Sequence, residues 1–193
     1  MKRQPAKVLA PVDMRRLIAR ASRQRYHCRN RCIILLSYRA GLRACEIAGL
    51  EWPMVLKSSG KVADQMTISK HIAKYGSGRN LPVHGELKAA LSEYHKLLGK
   101  PHSGPVIRSE RGGSMTPRSI VNYFTQLYAS LNLIGYSSHS GRRTFITQAA
   151  RMISKAGGSL KDIQELAGHR SLKTTEHYIE GDRDAQRKLI ALM

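Results

Sequence analysis

A mostly helical α+β domain with a small antiparallel three-stranded sheet is the fold this 193-residue chain predicts. Three observations lead to it. Apolar residues recur at helical spacing toward both ends of the chain. Between those regions the period shortens toward two, in brief runs parted by turn-rich stretches. A hydrophobic content of 41% is enough to bury a core rather than leave the chain disordered.

The elements follow in order. Residues 1–10 read as an arm. Pro11-Val12-Asp13 opens the first helix, which carries Met14, Leu17, Ile18 and Ala21 at helical spacing. A second helix covers Arg29–Arg39, with Ile33, Leu35 and Leu36 as its apolar side, and Gly41 breaks the pattern. ACEIAGL restarts a short helix that ends at Gly49-Leu50. EWPMVL, VADQMTISKHIA and GRNLPVH then supply the β-type runs, separated by SSGK and KYGSG, with the Tyr75–Gly78 turn joining the last two strands. Helices return at Glu86–Leu98 and, after the loop RSERGGSMT, at Pro117–Leu131. Thr144–Ala156, Ser159–Ala167, Ser171–Tyr178 and Ala185–Leu192 complete the set. No internal repeat or long linker interrupts this, so residues 11–193 read as one domain.

Charge narrows the partner. Lys and Arg number 33 against 13 Asp and Glu, a formal net of +20, and Asp13 is the lone acid before Glu46. Such an excess favours a polyanion, either nucleic acid or an acidic membrane surface, a trait that ribosomal proteins share. A spanning segment is not on offer, because the longest aliphatic run, CIILL, falls far short of the ~20 residues a bilayer requires. The N-terminus lacks the apolar core of a signal peptide. Cys28, Cys32 and Cys45 are odd in number and form no CxxC pair, so they read as reduced thiols of a cytoplasmic protein. His27 beside Cys28 and Cys32 lacks a fourth ligand at zinc-site spacing, and no metal or cofactor is expected.

Chemistry-bearing residues fall in four places. In GLRACEIAGL, Arg43 follows a helix-opening glycine and Glu46 stands three residues on, able to hold its guanidinium; alone, this reads as an ordinary surface ion pair. In KYGSGRNLPV, Lys74 sits at the edge of a slim glycine-rich turn; alone, it reads as a solvated lysine, and GSG is no nucleotide-binding P-loop. In SSHSGRRTFIT, His139 and Arg142 are three apart and, in a helix, can face one point, a pairing suited to proton transfer near a phosphate, with a buried, satisfied histidine as the plainer alternative. The fourth place is LAGHRSLKTTEHYIEG, with His169, Tyr178, and a His177 that reads as surface.

Taken together, the order R…K…HxxR…GH…Y resembles the tyrosine recombinase (phage integrase) family. GLRxxE, KxGxxRxxPV, HxxRRTF and LAGHxSxxTTxxY occur in the family's order and at family-like intervals over nearly the whole chain. The resemblance implies the helical catalytic domain of that family and a site-specific recombinase that cuts and rejoins DNA without metal or ATP. Arg43 and Arg142 would clamp the scissile phosphate, Lys74 would protonate the departing 5′-oxygen, and His139 would assist proton removal from Tyr178. His169 would hydrogen-bond a non-bridging oxygen, Glu46 would support Arg43, and Tyr178 would attack phosphorus to form a 3′-phosphotyrosyl link. A phenol ionises only near pH ~10, and the surrounding cations would favour its anion.

The resemblance further implies double-stranded DNA as partner, a homotetramer on paired sites joined through the C-terminal helix, room for accessory DNA-bending proteins, and a nucleoid location in the cytoplasm. Most integrases carry an N-terminal core-binding domain. Its absence here points to a short single-domain form of the fimbrial-switch inverting type, or to a shortened chain. A type IB topoisomerase-like nicking-resealing enzyme and a non-catalytic DNA-binding regulator are the alternatives.

Overall fold

The computed structural model describes residues 6–178 and 190–191. Helix α1 spans Pro11–Ser22, with proline at its first turn where a missing N–H is harmless, and it buries Met14, Leu17 and Ala21. Ahead of it, Leu9 enters the core and its N–H donates to Thr144 Oγ1 at 2.8 Å. Helix α2, His27–Arg39, is buried on most sides, Arg29, Asn30 and Ser37 included, and packs against α1 and three later helices, which places it at the centre of the domain. Gly41 then turns the chain at φ +62°, where a Cβ would strike the Phe145 ring. Helix α3, Ala44–Gly49, starts on the Arg43 N–H, which donates to Glu46 Oε2 at 2.9 Å.

The sheet is smaller than the sequence predicts. Among the described residues it has two antiparallel strands, β1 (Gln65–Ile68) and β2 (Arg79–Pro82), in register from Gln65 opposite Pro82 to Ile68 opposite Arg79. The expected third strand, EWPMVL, is instead a 3-10 turn at Trp52–Met54 flanked by isolated bridges from Glu51 to Pro105 and from Leu56 to Val62. Pro53 is the cause: it cannot donate to a ladder and its fixed φ suits a helical first turn. Met66, Ile68 and Leu81 carry the inner face of the β1–β2 pair into the core.

Helices α4 (Gly85–Leu97) and α5 (Pro117–Ala129) fall close to their expected spans. Thr116 Oγ1 caps α5 by accepting the Ser119 N–H at 3.1 Å. Helix α6 runs over Ser140–Met152 and continues as a 3-10 turn, Ile153–Ala156, so it begins four residues before the expected Thr144. Gly141 lies inside the helix, because α6 meets α2 there: a Cβ would sit 2.4 Å from Ser37 Oγ. That early start matters, since it puts His139 at the N-cap and Arg142 in the first turn. Helices α7 (Leu160–Ala167) and α8 (Leu172–Glu176) close the described fold, joined through Gly168 at φ +62°. The expected helix Ala185–Leu192 lies outside the described residues except for Ile190–Ala191, which are helical. The main core contains Trp52, Phe124 and the α2 aliphatics; Ile146, Ile163 and Ala167 form a satellite cluster beside Tyr178. Cys28, Cys32 and Cys45 are free thiols. No helix among the described residues is long and apolar enough to cross a membrane.

Candidate active site

Glu46 anchors the site. Its carboxylate is fully buried and accepts from Arg43 Nη1 (3.0 Å) and from both Nη atoms of Arg79 (2.9 and 3.0 Å). Burial pushes its pKa up, but the hydrogen bonds and charges of Arg79 and Arg43 outweigh this and hold it below the usual carboxylate value. The i,i+3 spacing of Arg43 and Glu46 therefore forms the pair read from the sequence. Arg79 was not singled out there, and it comes to Glu46 from β2.

Arg142, 2% exposed, is held between two segments distant in sequence: Nη1 donates to the Gly41 carbonyl and Nη2 to the Ala167 carbonyl, each at 2.6 Å. Burial, then the adjacent Arg43 charge, lowers its pKa to about 10, so it remains cationic at neutral pH. Arg43 Nη2 reaches the neighbouring Gly168 carbonyl at 3.4 Å. Two guanidiniums, Arg43 and Arg79, pair with the single Glu46 carboxylate, and Arg142 lies near enough to feel their charges, leaving a net positive, partly desolvated centre suited to an anion.

The remaining predicted residues border this centre. His139 is exposed at the α6 N-cap, and its pKa is lowered by desolvation and then by the charges of Arg142, Arg43 and Lys74. A histidine so biased is neutral at pH 7 and able to accept a proton. Lys74 is exposed in a 3-10 turn (Lys74–Gly76) between the strands, near enough for its charge to act on His139; its Nζ lies 4.9 Å from the centroid of the Tyr75 ring. Tyr178 follows α8, its N–H bonded to the Thr175 carbonyl at 3.0 Å. Its ring stacks on His169 with centroids 5.4 Å apart and planes inclined by 23°, and the Arg143 guanidinium lies 5.9 Å from it. In front of Tyr178 runs a groove of about 1090 Å³, lined by Ser137, His139, Arg143, Ser171, Lys173 and His177. His177 is exposed there.

His169 sits on the C-terminal side of Gly168, with Nδ1 3.0 Å from the buried Thr175 Oγ1. A neutral ring that accepts the threonine proton at Nδ1 carries its own on Nε2, a donor for an anion. Burial, followed by the charges of Arg142, Arg43 and Arg79, pushes its pKa down to about 4. Because the folded value lies below the unfolded one of about 6.5, the stability it contributes is complete above pH 6.5 and is lost as pH falls toward 4. The expected result is a free protein whose urea stability drops between pH 7 and 4.5, by at most about 1.4 kcal/mol per unit from this group. His169→Gln flattens that dependence; an identical slope in the variant removes His169 as its source.

Sequence reasoning thus missed Arg79 and Thr175, although both stand in quoted motifs, as the arginine of KxGxxRxxPV and the second threonine of TTxxY. Their partners, Glu46 and Leu166 for Arg79 and His169 for Thr175, emerge only from the fold.

Known proteins match this chain in sequence and in fold. The family model described as "Phage integrase family" matches residues 7–184. A tyrosine recombinase XerC of Mesorhizobium japonicum is 32% identical over 155 residues, covering 78% of this chain and 46% of that protein. One from Brucella suis is 30% identical over 186 residues, covering 91% of this chain and 56% of that protein. The chain therefore spans about half the length of these curated relatives. By fold, it is similar to the Tn1549 transposon integrase in complex with transposon right end DNA, with a TM-score of 0.75 at 18% identity, over 100% of this chain and 67% of that one.

Proposed function

Because the chain belongs to the phage integrase family, we propose that residues 11–193 are a catalytic domain, preceded by a short arm, that cuts and rejoins double-stranded DNA at a specific site through Tyr178. One observation carries the reading: Tyr178 stacks on His169 beside a centre where Arg43 and Arg79 pair with one carboxylate and the Arg142 cation stands close by. That is the electrostatic environment an in-line attack on a phosphodiester requires.

In this mechanism Arg43 and Arg142 receive the non-bridging oxygens of the scissile phosphate, and His169 adds a hydrogen bond. His139, neutral at pH 7, takes the phenolic proton as the Tyr178 oxygen bonds to phosphorus. The bond from phosphorus to the 5′-oxygen breaks, and Lys74 supplies the proton that oxygen needs. A 3′-phosphotyrosyl link and a free 5′-hydroxyl result. Attack by a 5′-hydroxyl reverses the step, so the energy of the diester is conserved in the covalent intermediate. Glu46 keeps the Arg43 guanidinium in place. Recombination between two duplexes calls for four protomers, and we assign their contact to the C-terminal segment after Tyr178, with the nucleoid as the place of action.

The test is covalent trapping. A pool of duplexes with randomised cores, each nicked just 3′ of the candidate cleavage position, is incubated with the protein in EDTA. Attack then releases a short fragment and strands the enzyme on DNA. SDS-stable adducts at Tyr178 are expected, and sequencing the captured DNA yields the site. An adduct on another residue, or one formed only with Mg²⁺, overturns the mechanism.

A further inference from the structure

Glu46 has two cationic partners with unequal grips. Arg79 meets it fork to fork through Nη1 and Nη2, whereas the Arg43 side chain reaches only Oε1, with one arm. The bidentate pair is the stronger and more directional of the two, so Arg79 takes up most of the carboxylate's charge and leaves the Arg43 cation less neutralised. The third donor of Arg79, Nε, goes to the Leu166 carbonyl in the last turn of α7 at 2.9 Å. The same side chain lies against Gly168, where a Cβ would sit 2.8 Å from Arg79 Nη1. One side chain on β2 therefore holds both the carboxylate of α3 and the end of α7, three residues before His169. With 6% of the side chain exposed, and Nε and both Nη atoms each bonded to a protein acceptor, Arg79 is committed to holding Glu46 and the end of α7.

We propose that Arg79 is a positioning residue for the cut-and-join chemistry: by locking Glu46 and the α7 terminus in one register, it sets where Arg43 and His169 stand at the scissile phosphate without touching it. This rests on the reading of the Tyr178 cleft as a phosphotyrosyl site. Without Arg79 the buried carboxylate draws Arg43 onto itself, and the α7 end is released from β2. A glycine before His169 is needed on the same account, since a larger residue displaces the Arg79 fork.

The experiment compares wild type, Arg79→Met, Arg79→Lys and Arg79→Met with Glu46→Gln, on a trapped substrate. Single-turnover cleavage and duplex affinity are measured separately. Arg79→Met is expected to bind DNA nearly as wild type does while cleaving on the order of 10²-fold more slowly, the cost of a misplacement of about 1 Å. Arg79→Lys, which keeps charge but not the fork, is expected to stay slow. Adding Glu46→Gln to Arg79→Met restores part of the rate, because Arg43 is no longer drawn to an unpaired carboxylate. A merely structural role lowers binding and cleavage together, and the second substitution then makes matters worse. Wild-type cleavage in both Arg79→Met and Arg79→Lys, or a double variant slower than the single one, overturns the proposal. A readout on the free protein separates it from the catalytic reading: in a ¹³C titration, Glu46 moves to higher pH in the Arg79 variants. If Glu46 moves while wild type forms no adduct, the phosphotyrosyl reading fails and the Arg79 coupling stands; if Glu46 does not move, the coupling fails.

Discussion

Replacing Tyr178 by Phe is expected to leave a folded protein that binds DNA and forms no covalent adduct. The ring packs beside Ile146, Ile163 and Ala167 and stacks on His169, contacts that phenylalanine retains. Removing the hydroxyl alone is expected to change stability by no more than about 0.5 kcal/mol. Tyr178→Ala is the poorer test, because it also empties the satellite cluster. Loss of the adduct in Tyr178→Phe, with melting and DNA affinity unchanged, identifies the attacking oxygen. Tyr136 is the informative control: its hydroxyl donates to Asp13 Oδ2 at 3.1 Å, and burial together with that carboxylate raises its pKa. Mapping the adduct to Tyr136, or finding it persist in Tyr178→Phe, would falsify the assignment.

Losing one preorganised donor to a developing oxyanion typically costs about 3 kcal/mol, a factor of 10² to 10³ in rate. Arg43→Ala is expected to lose cleavage on that scale with a mild effect on the fold, since Arg79 still neutralises Glu46. Arg142→Ala loses as much activity and also destabilises the protein, because the Gly41 and Ala167 carbonyls are left without their donor. Arg142→Lys separates charge from geometry: one ammonium lacks the planar fork that spans both carbonyls, so cleavage stays low although the charge is kept. Single-turnover rates on the trapped substrate, read beside urea melts, decide the matter. A wild-type rate in either Arg43→Ala or Arg142→Lys removes that residue from the clamp.

The sequence disclosed what depends on neighbours along the chain. Pro11 and Pro117 marked the starts of α1 and α5, and the spacing of Met14, Leu17 and Ala21 named the buried side of α1. It failed where a distant contact decides. Helix α6 starts at Ser140, ahead of the expected Thr144, and Gly141 in its first turn is the residue that lets it close on Ser37 of α2. The β-type composition of EWPMVL concealed that Pro53 suits a 3-10 turn better than a ladder. For the site, the motifs supplied residue types and order. They could not supply the Arg79–Glu46 fork, which joins positions 33 residues apart, or the buried threonine beneath His169.

The clasp on Arg142 also bears on when during synthesis the protein acquires its reactivity. Its two acceptors, Gly41 and Ala167, lie 101 and 25 residues from it along the chain, on opposite sides. A growing polypeptide holds the first long before it holds the second, and Tyr178 follows later still. The centre is therefore complete only when α7 has been made and has met α6. With Tyr178 as the proposed nucleophile, a chain still lacking α7 holds neither the second grip on Arg142 nor the attacking oxygen.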